Sequence, residues 1–348
     1  MRIISHVVAG TLAALTISAT LAGTSAQAMA AGHALTCNGP PSGRVWDSLA
    51  YDPAQHDIVL IDGDSGNALS TPGTVFGKIT WIWNGTRWTP LHPAPRPRLR
   101  TGAAIVYDNA THQMLLFGGS RIPSTGGGFL NGTWTWNGHA WIQLHPATSP
   151  SARHNADLVY DAADHEVIMF GGYGGSYLAD TWAWNGRTWT QLHPATSPPA
   201  RDTDSLVYDP ATRTAILFGG FGDEGRFDDT WSWNGTNWTQ LHPASTPSVV
   251  STAWQAAYDQ ASRQLVIFGG DPGDPSSFSG ATWTWTGSTW VQLQPATSPL
   301  PRAYGAMTYD QALHKIIMFG GSTGTTDPAT LWEWNGTTWQ LTPSCSTS

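Results

Sequence analysis

The stretch "TWSWNGTNWTQLHP" (Thr230–Pro243) places three tryptophans within eight residues. Each large ring needs a pocket and each indole N–H a partner, so such density signals packing rather than an idle surface. Close variants begin at Thr80, Thr133, Thr181, Thr282 and Leu331, with Thr286 replacing Asn in the fifth copy and Leu331 replacing Thr in the sixth. Working outward, "YD" recurs at Tyr51, Tyr107, Tyr160, Tyr208, Tyr258 and Tyr309, and "FGG" at Phe117, Phe170, Phe218, Phe268 and Phe319, with "IDG" (Ile61–Gly63) in the first copy. A period of about 50 residues marks a repeat architecture.

Each unit reads as four strands. The first ends in "YD", and a turn such as "DPATRT" follows, rich in residues that reverse a chain. The second is a continuous apolar run such as "AILFGG", which implies burial on both faces. The third is "TWSW", whose tryptophans share a face, and "NG" turns the chain into the fourth, "NWTQL". A sheet buried on both faces needs a neighbour on each side, and six such sheets satisfy one another by closing a ring. The predicted fold class is all-β, a six-bladed β-propeller of four-stranded antiparallel blades. Eighteen of the 20 tryptophans occupy repeat-equivalent positions, which favours packing between blades over stacking on sugars.

The order "R…YD…FGG…TWxWNGxxW" resembles the kelch repeat of the galactose oxidase-like superfamily, over residues 44 to 340. The blades are expected at about 44–99, 100–152, 153–200, 201–250, 251–301 and 302–348, after a signal peptide (1–30) and a short segment (31–43). The leader carries Arg2, the apolar "VVAGTLAALTISATLAG" and small residues at "AQA", as a secretory signal does. The alternative is an uncleaved anchor. The expected location is secreted or extracytoplasmic, of bacterial type, with no membrane attachment after cleavage.

Blade one starts with its own first strand and blade six ends with its own fourth, so no strand is left to exchange. The only cysteines are Cys37 and Cys345, seven residues before Arg44 and six after Trp339. A bond between them would stand where a sixth linker would run, and secretion permits it. Two free thiols at the chain ends are the other reading.

Function is sought on the face carrying the loops after "FGG", which differ in length in every copy. Seven residues before each "YD" tyrosine stand Arg44, Arg100, Arg153, Arg201, Ser251 and Arg302. The kelch resemblance implies that they ring the channel mouth, where guanidiniums suit a carboxylate or other anion; tying down neighbouring blades is the alternative role. The residues that follow vary: Trp46 and Asp47; His154, Asn155 and Asp157; Asp202 and Asp204; Trp254; Tyr304. Together they make a candidate polar pocket. His92, His145, His193 and His242 belong to different blades and cannot meet at one metal ion. "DEGRFDD" (Asp223–Asp229) offers oxygen ligands for Ca²⁺ but lacks EF-hand spacing, and a solvated loop is the favoured reading.

A net charge of −8 disfavours nucleic acid as a partner. The resemblance also brings to mind copper radical oxidases, whose site requires a cysteine crosslinked to tyrosine; no internal cysteine exists here. No nucleophile elbow, zinc motif or phosphate loop is present. No cofactor, metal or catalytic residue is predicted. The favoured function is non-catalytic binding of a protein or glycan on the loop-rich face. The alternative, implied by secreted kelch proteins that act on sugar acids, is an epimerase-like enzyme at the channel mouth.

Overall fold

The computed structural model describes residues 41–64, 80–121, 127–247 and 252–342. It is a six-bladed β-propeller. Each blade is a sheet of four antiparallel strands in sequence order. The innermost strands are Val45–Asp52, Ala104–Asp108, Asp157–Asp161, Ser205–Asp209, Thr252–Asp259 and Ala306–Asp310. Neighbouring innermost strands lie side by side around the axis, that of blade one beside that of blade six. Residues 1–30, where a signal peptide is expected, and Cys37, Cys345 and Ser251 lie outside the described residues. Among the described residues no helix is long and apolar enough to cross a membrane.

The apolar second strands explain the closure. In Asp57–Asp64, Ile58 and Leu60 pack against Ile317, Phe319 and Leu331 of blade six. Val59 and Ile61 point the other way, onto Met114, Leu116 and Trp141 of blade two. The same division places one apolar cluster at each of the other four seams. Period-two alternation thus supplies both interfaces of a blade from one strand.

The tryptophans serve these seams. The last indole of a blade meets the "FGG" phenylalanine of the preceding blade, with centroids 5.3 Å apart for Trp189–Phe117 and 5.2 Å for Trp238–Phe170. Its Nε1 donates to the threonine opening the third strand of that preceding blade: Trp141 to Thr80, Trp189 to Thr133, Trp238 to Thr181, Trp290 to Thr230 and Trp339 to Thr282, all at 2.9–3.0 Å. At the sixth seam the position is Leu331, which has no hydroxyl, and Trp88 packs on Phe319 at 5.3 Å. Thr133→Val keeps the shape and orphans the buried Trp189 N–H, a loss of about 1–3 kcal/mol. The expected result is a lower urea midpoint with an unchanged slope.

The "NG" connection differs from a two-residue hairpin. Trp83 pairs with Trp88 and Trp233 with Trp238, so each loop has four residues. The asparagine closes it: Asn84 Oδ1 accepts the N–H groups of Thr86 and Arg87 at 3.1 and 3.0 Å. The "YD" aspartates act likewise, Asp52 Oδ1 accepting from the Ala54 N–H at 2.9 Å.

Candidate functional site

The arginines define the frame of the loop-rich face. Arg44, Arg100, Arg153, Arg201 and Arg302 are at most 4% exposed. In each, Nε donates to the carbonyl two residues earlier, at 2.9–3.1 Å. In the last four, Nη1 donates to the first glycine carbonyl of the same blade's double glycine, at 2.7–3.0 Å. Arg153 and Arg201 also grip Asp180 and Asp229 through both carboxylate oxygens. Burial alone would raise the Asp180 carboxyl, but the hydrogen bonds and charge of Arg153 hold it below the usual range. The arginine backbone reaches the other way: Gly119 N–H donates to Arg153 O, Gly172 to Arg201 O, Gly270 to Arg302 O and Gly321 to Arg44 O, at 2.8–3.0 Å. A Cβ at Gly171 would stand 2.6 Å from Arg201 O, so the close approach demands glycine. The guanidiniums thus brace their own blades, while the arginine backbone carbonyls tie each blade to the one before it.

Two residues after each arginine position, the chain forms a ring. Trp46, Gly102, Asn155, Thr203, Ala253 and Tyr304 all have left-handed φ values of 50–66°. Their backbones are joined in a circle: Gly102 N–H donates to Trp46 O, Asn155 to Gly102 O, Ala253 to Thr203 O, Tyr304 to Ala253 O and Trp46 to Tyr304 O, at 2.8–3.5 Å. Between blades three and four the link is a side chain, Asn155 Nδ2 donating to Asp202 Oδ2 at 3.2 Å. Left-handed Trp, Tyr, Thr and Ala cost backbone energy, and such strain clusters at functional sites.

Above the ring is a cavity of about 460 Å³. Trp46, Asn155, Thr203 and Tyr304 form its floor, while His154, Tyr177, Asp202, Phe221, Arg226 and Asp271 contribute to its wall. Loops after the double glycines position these groups by folding back on the residue before the ring: His154 bridges Tyr173, and Asp202 bridges Phe221. The Trp46 and Tyr304 rings lie 4.2 Å apart. An aromatic arc runs from Phe129 stacked on His154 (5.4 Å), through Tyr173 and Tyr177, to Phe221, with the Arg226 guanidinium over the Phe221 ring.

The polar groups are tuned by this enclosure. Burial pushes the Asp202 carboxyl up to about 6 against the hydrogen bonds of Asn155 and Thr203. Burial lowers the His154 imidazole, against a hydrogen bond with Asn155, and so favours its neutral form. Tyr304 Oη donates to Asp271 Oδ2, and burial together with that carboxylate raises the phenol well above its ordinary range. Asp271 is fixed further by the Gly273 N–H at 2.6 Å, and its carbonyl accepts from Arg226 Nε at 3.3 Å. Near neutral pH, Asp202 can accept or give a proton, and the aromatic floor offers a stacking surface.

Below the ring lies a second, smaller space of about 230 Å³, lined by Asp47, Asp157, Asp204, Trp254 and Gln255 among others. Burial raises the Asp47 carboxyl to about 7, against the nearby Arg44 charge.

Of the residues singled out from the sequence, Trp46, His154, Asn155, Asp202 and Tyr304 converge on the upper cavity. Trp254 is 5% exposed and packs on Phe218 at a seam. His92, His145, His193 and His242 are exposed in four separate blades. Sequence reasoning missed Tyr177, Phe221, Arg226 and Asp271. Arg226 belongs to the acidic loop, where Phe221–Gly222 pairs with Gly225–Arg226; a lone cation among four acids was the available signal.

No family model matches the sequence. Among solved structures, that of YjhT matches 88% of this chain and 99% of its own, with a TM-score of 0.66 and 15% identity. At that identity the likeness speaks for the fold alone.

Proposed function

We propose that this chain is an exported kelch-type propeller that binds a glycan, without turning it over, in the cavity above the left-handed ring. The observation that carries the reading is the combination of a concave space of about 460 Å³ with a Trp46–Tyr304 floor and Asn155, Asp202 and Arg226 in its lining. Aromatic faces stack on the apolar side of a sugar, and a few fixed polar groups select its hydroxyls. A cavity of this size suits one or two sugar units better than the flat epitope of a folded protein. Export rests on the leader, and the kelch assignment on six copies of "R…YD…FGG…TWxWNGxxW" or its variants.

One observation favours an enzyme acting on a sugar acid: Asp202, with its carboxyl pushed up to about 6, shares the cavity with Arg226 and the Tyr304–Asp271 pair. An acid–base group near the working pH and a cation for a carboxylate fit that chemistry.

A screen of the mature protein against glycans and sugar acids tests both readings. Trp46→Ala and Asp202→Asn are each expected to weaken binding of a hit about tenfold or more, about 1.4 kcal/mol. Hits indifferent to both changes, or no hit at all, refute the cavity as the binding site. NMR of the bound sugar over time separates the two readings: new resonances that vanish with Asp202→Asn mark an enzyme.

A further inference from the structure

The loops after the double glycines of blades three and four fold alike. In blade three, "YGGSY" (Tyr173–Tyr177) is a small hairpin, in which Tyr173 bridges Tyr177 across the turn and His154 on its other side. Tyr173 and His154 exchange backbone bonds of 2.9 and 3.0 Å, and the Leu178 N–H closes on Gly172 O at 3.0 Å. Gly174 seats the hairpin, since a Cβ there would stand 2.6 Å from Ala152 O. In blade four, Phe221 pairs with Arg226, and the Phe227 N–H closes on Gly220 O at 2.9 Å. An aromatic residue follows the double glycine in these two blades; Asp64, Ser120, Asp271 and Ser322 stand at that place in the others. Tyr173, Tyr177 and Phe221 are half-buried. Their centroids lie 5.0 Å apart for Tyr173–Tyr177 and 5.7 Å for Tyr177–Phe221, in edge contacts that set the rings side by side without stacking them. Tyr177 and Phe221 belong to the wall of the upper cavity, and Tyr173 lies outside it. The aromatic wall therefore runs out of the cavity over blade three. Behind the floor pair it goes no further, since Phe278 meets Tyr304 at 6.1 Å and is buried.

We infer that the site takes the end of a sugar chain rather than a free sugar, with the terminal units over the Trp46–Tyr304 floor and the next unit stacked on Tyr173 at the lip. The inference rests on the glycan reading above and names the form of its ligand. The circle of backbone bonds floors the cavity, so a chain longer than the cavity must leave upward. The ledge of Tyr177 and Tyr173 gives it an apolar path there. An aromatic face packs against the C–H face of a sugar ring. Tyrosine offers that face at low entropic cost, having two side-chain torsions to fix. The hairpin's backbone bonds place it before any ligand arrives, which spares the cost of ordering a loop. Half-buried aromatics gathered at a cavity mouth mark an interaction surface.

The test is calorimetric titration of the mature protein with cello-, chito-, malto- and galacturonan oligosaccharides, each from monomer to tetramer. In a series that binds, affinity is expected to climb about tenfold between dimer and trimer and then level off. Tyr173→Ser, the residue type that blades two and six carry at that place, flattens the climb. Tyr173→Phe keeps it, because the ring face and not the hydroxyl makes the contact. Trp46→Ala lowers binding at every length. Should Tyr173→Ser fail to fold, Tyr173→Leu, apolar but without a ring, takes its place with the same flattening expected. A series that binds without a climb, a climb that the ring-less variant leaves intact, or an equal loss in that variant at all lengths overturns the chain-end inference while the cavity reading stands. Silence from all four series overturns both and leaves the ledge to a protein partner.

Discussion

Arg153→Ala is expected to lower the stability of the protein by about 3–5 kcal/mol, the usual loss when one partner of a buried ion pair is removed. The change strands Asp180, whose two oxygens meet Nη1 and Nη2 at 2.5 and 2.8 Å, and removes the donor to Gly171 O at 2.9 Å. It also empties a site that is 1% exposed. Asp180→Ala on the same background is expected to restore part of the loss, since the orphaned charge goes with it, although Trp182 Nε1 then loses its 2.7 Å acceptor. Urea unfolding of the single and double variants measures the coupling. A loss under about 1 kcal/mol for Arg153→Ala would show that the pair does not hold the blade. The effect should appear in stability and not as a selective loss of ligand, because the guanidinium does not reach the cavity lining.

The second large effect concerns pH. The Asp47 carboxyl rises from 3.8 to about 7 on folding, with burial as the main cause. Between these values the folded protein holds a proton that the unfolded chain has released. The stability that this group contributes is therefore full below about pH 4 and is lost as pH rises through about 7. At about 1.4 kcal/mol for each tenfold change, the upper limit for this group is on the order of 4 kcal/mol. Asp47→Asn, whose neutral amide resembles the protonated acid, is expected to lose that part of the decline when unfolding is followed from pH 4 to 8 in EDTA. Parallel curves for the two proteins would mean that the carboxyl stays ionised in the channel.

The ring of blades was legible because its causes repeat. Apolar second strands, paired tryptophans and double glycines each state one physical requirement, and six restatements leave little freedom. The candidate site was legible only in part. Trp46, His154, Asn155, Asp202 and Tyr304 could be found because they follow a repeated arginine and differ among blades. The direction of those arginines could not be read, since the same spacing serves a guanidinium facing a ligand or a glycine carbonyl. The left-handed ring left no trace, because Trp, Gly, Asn, Thr, Ala and Tyr share no preference that would mark a common φ. Tyr177, Phe221 and Asp271 come from loops of unequal length, where periodicity has nothing to say.

Five of the six indole-to-threonine bonds recur around the molecule, and Leu331 omits the sixth, between the blades that carry the two chain ends. The circle therefore has a clasp. That seam is held instead by apolar contacts and by two backbone bonds, Gly321 to Arg44 and Trp46 to Tyr304. With no indole-to-hydroxyl bond to break, it is the place where the ring parts at the smallest cost in side-chain hydrogen bonds.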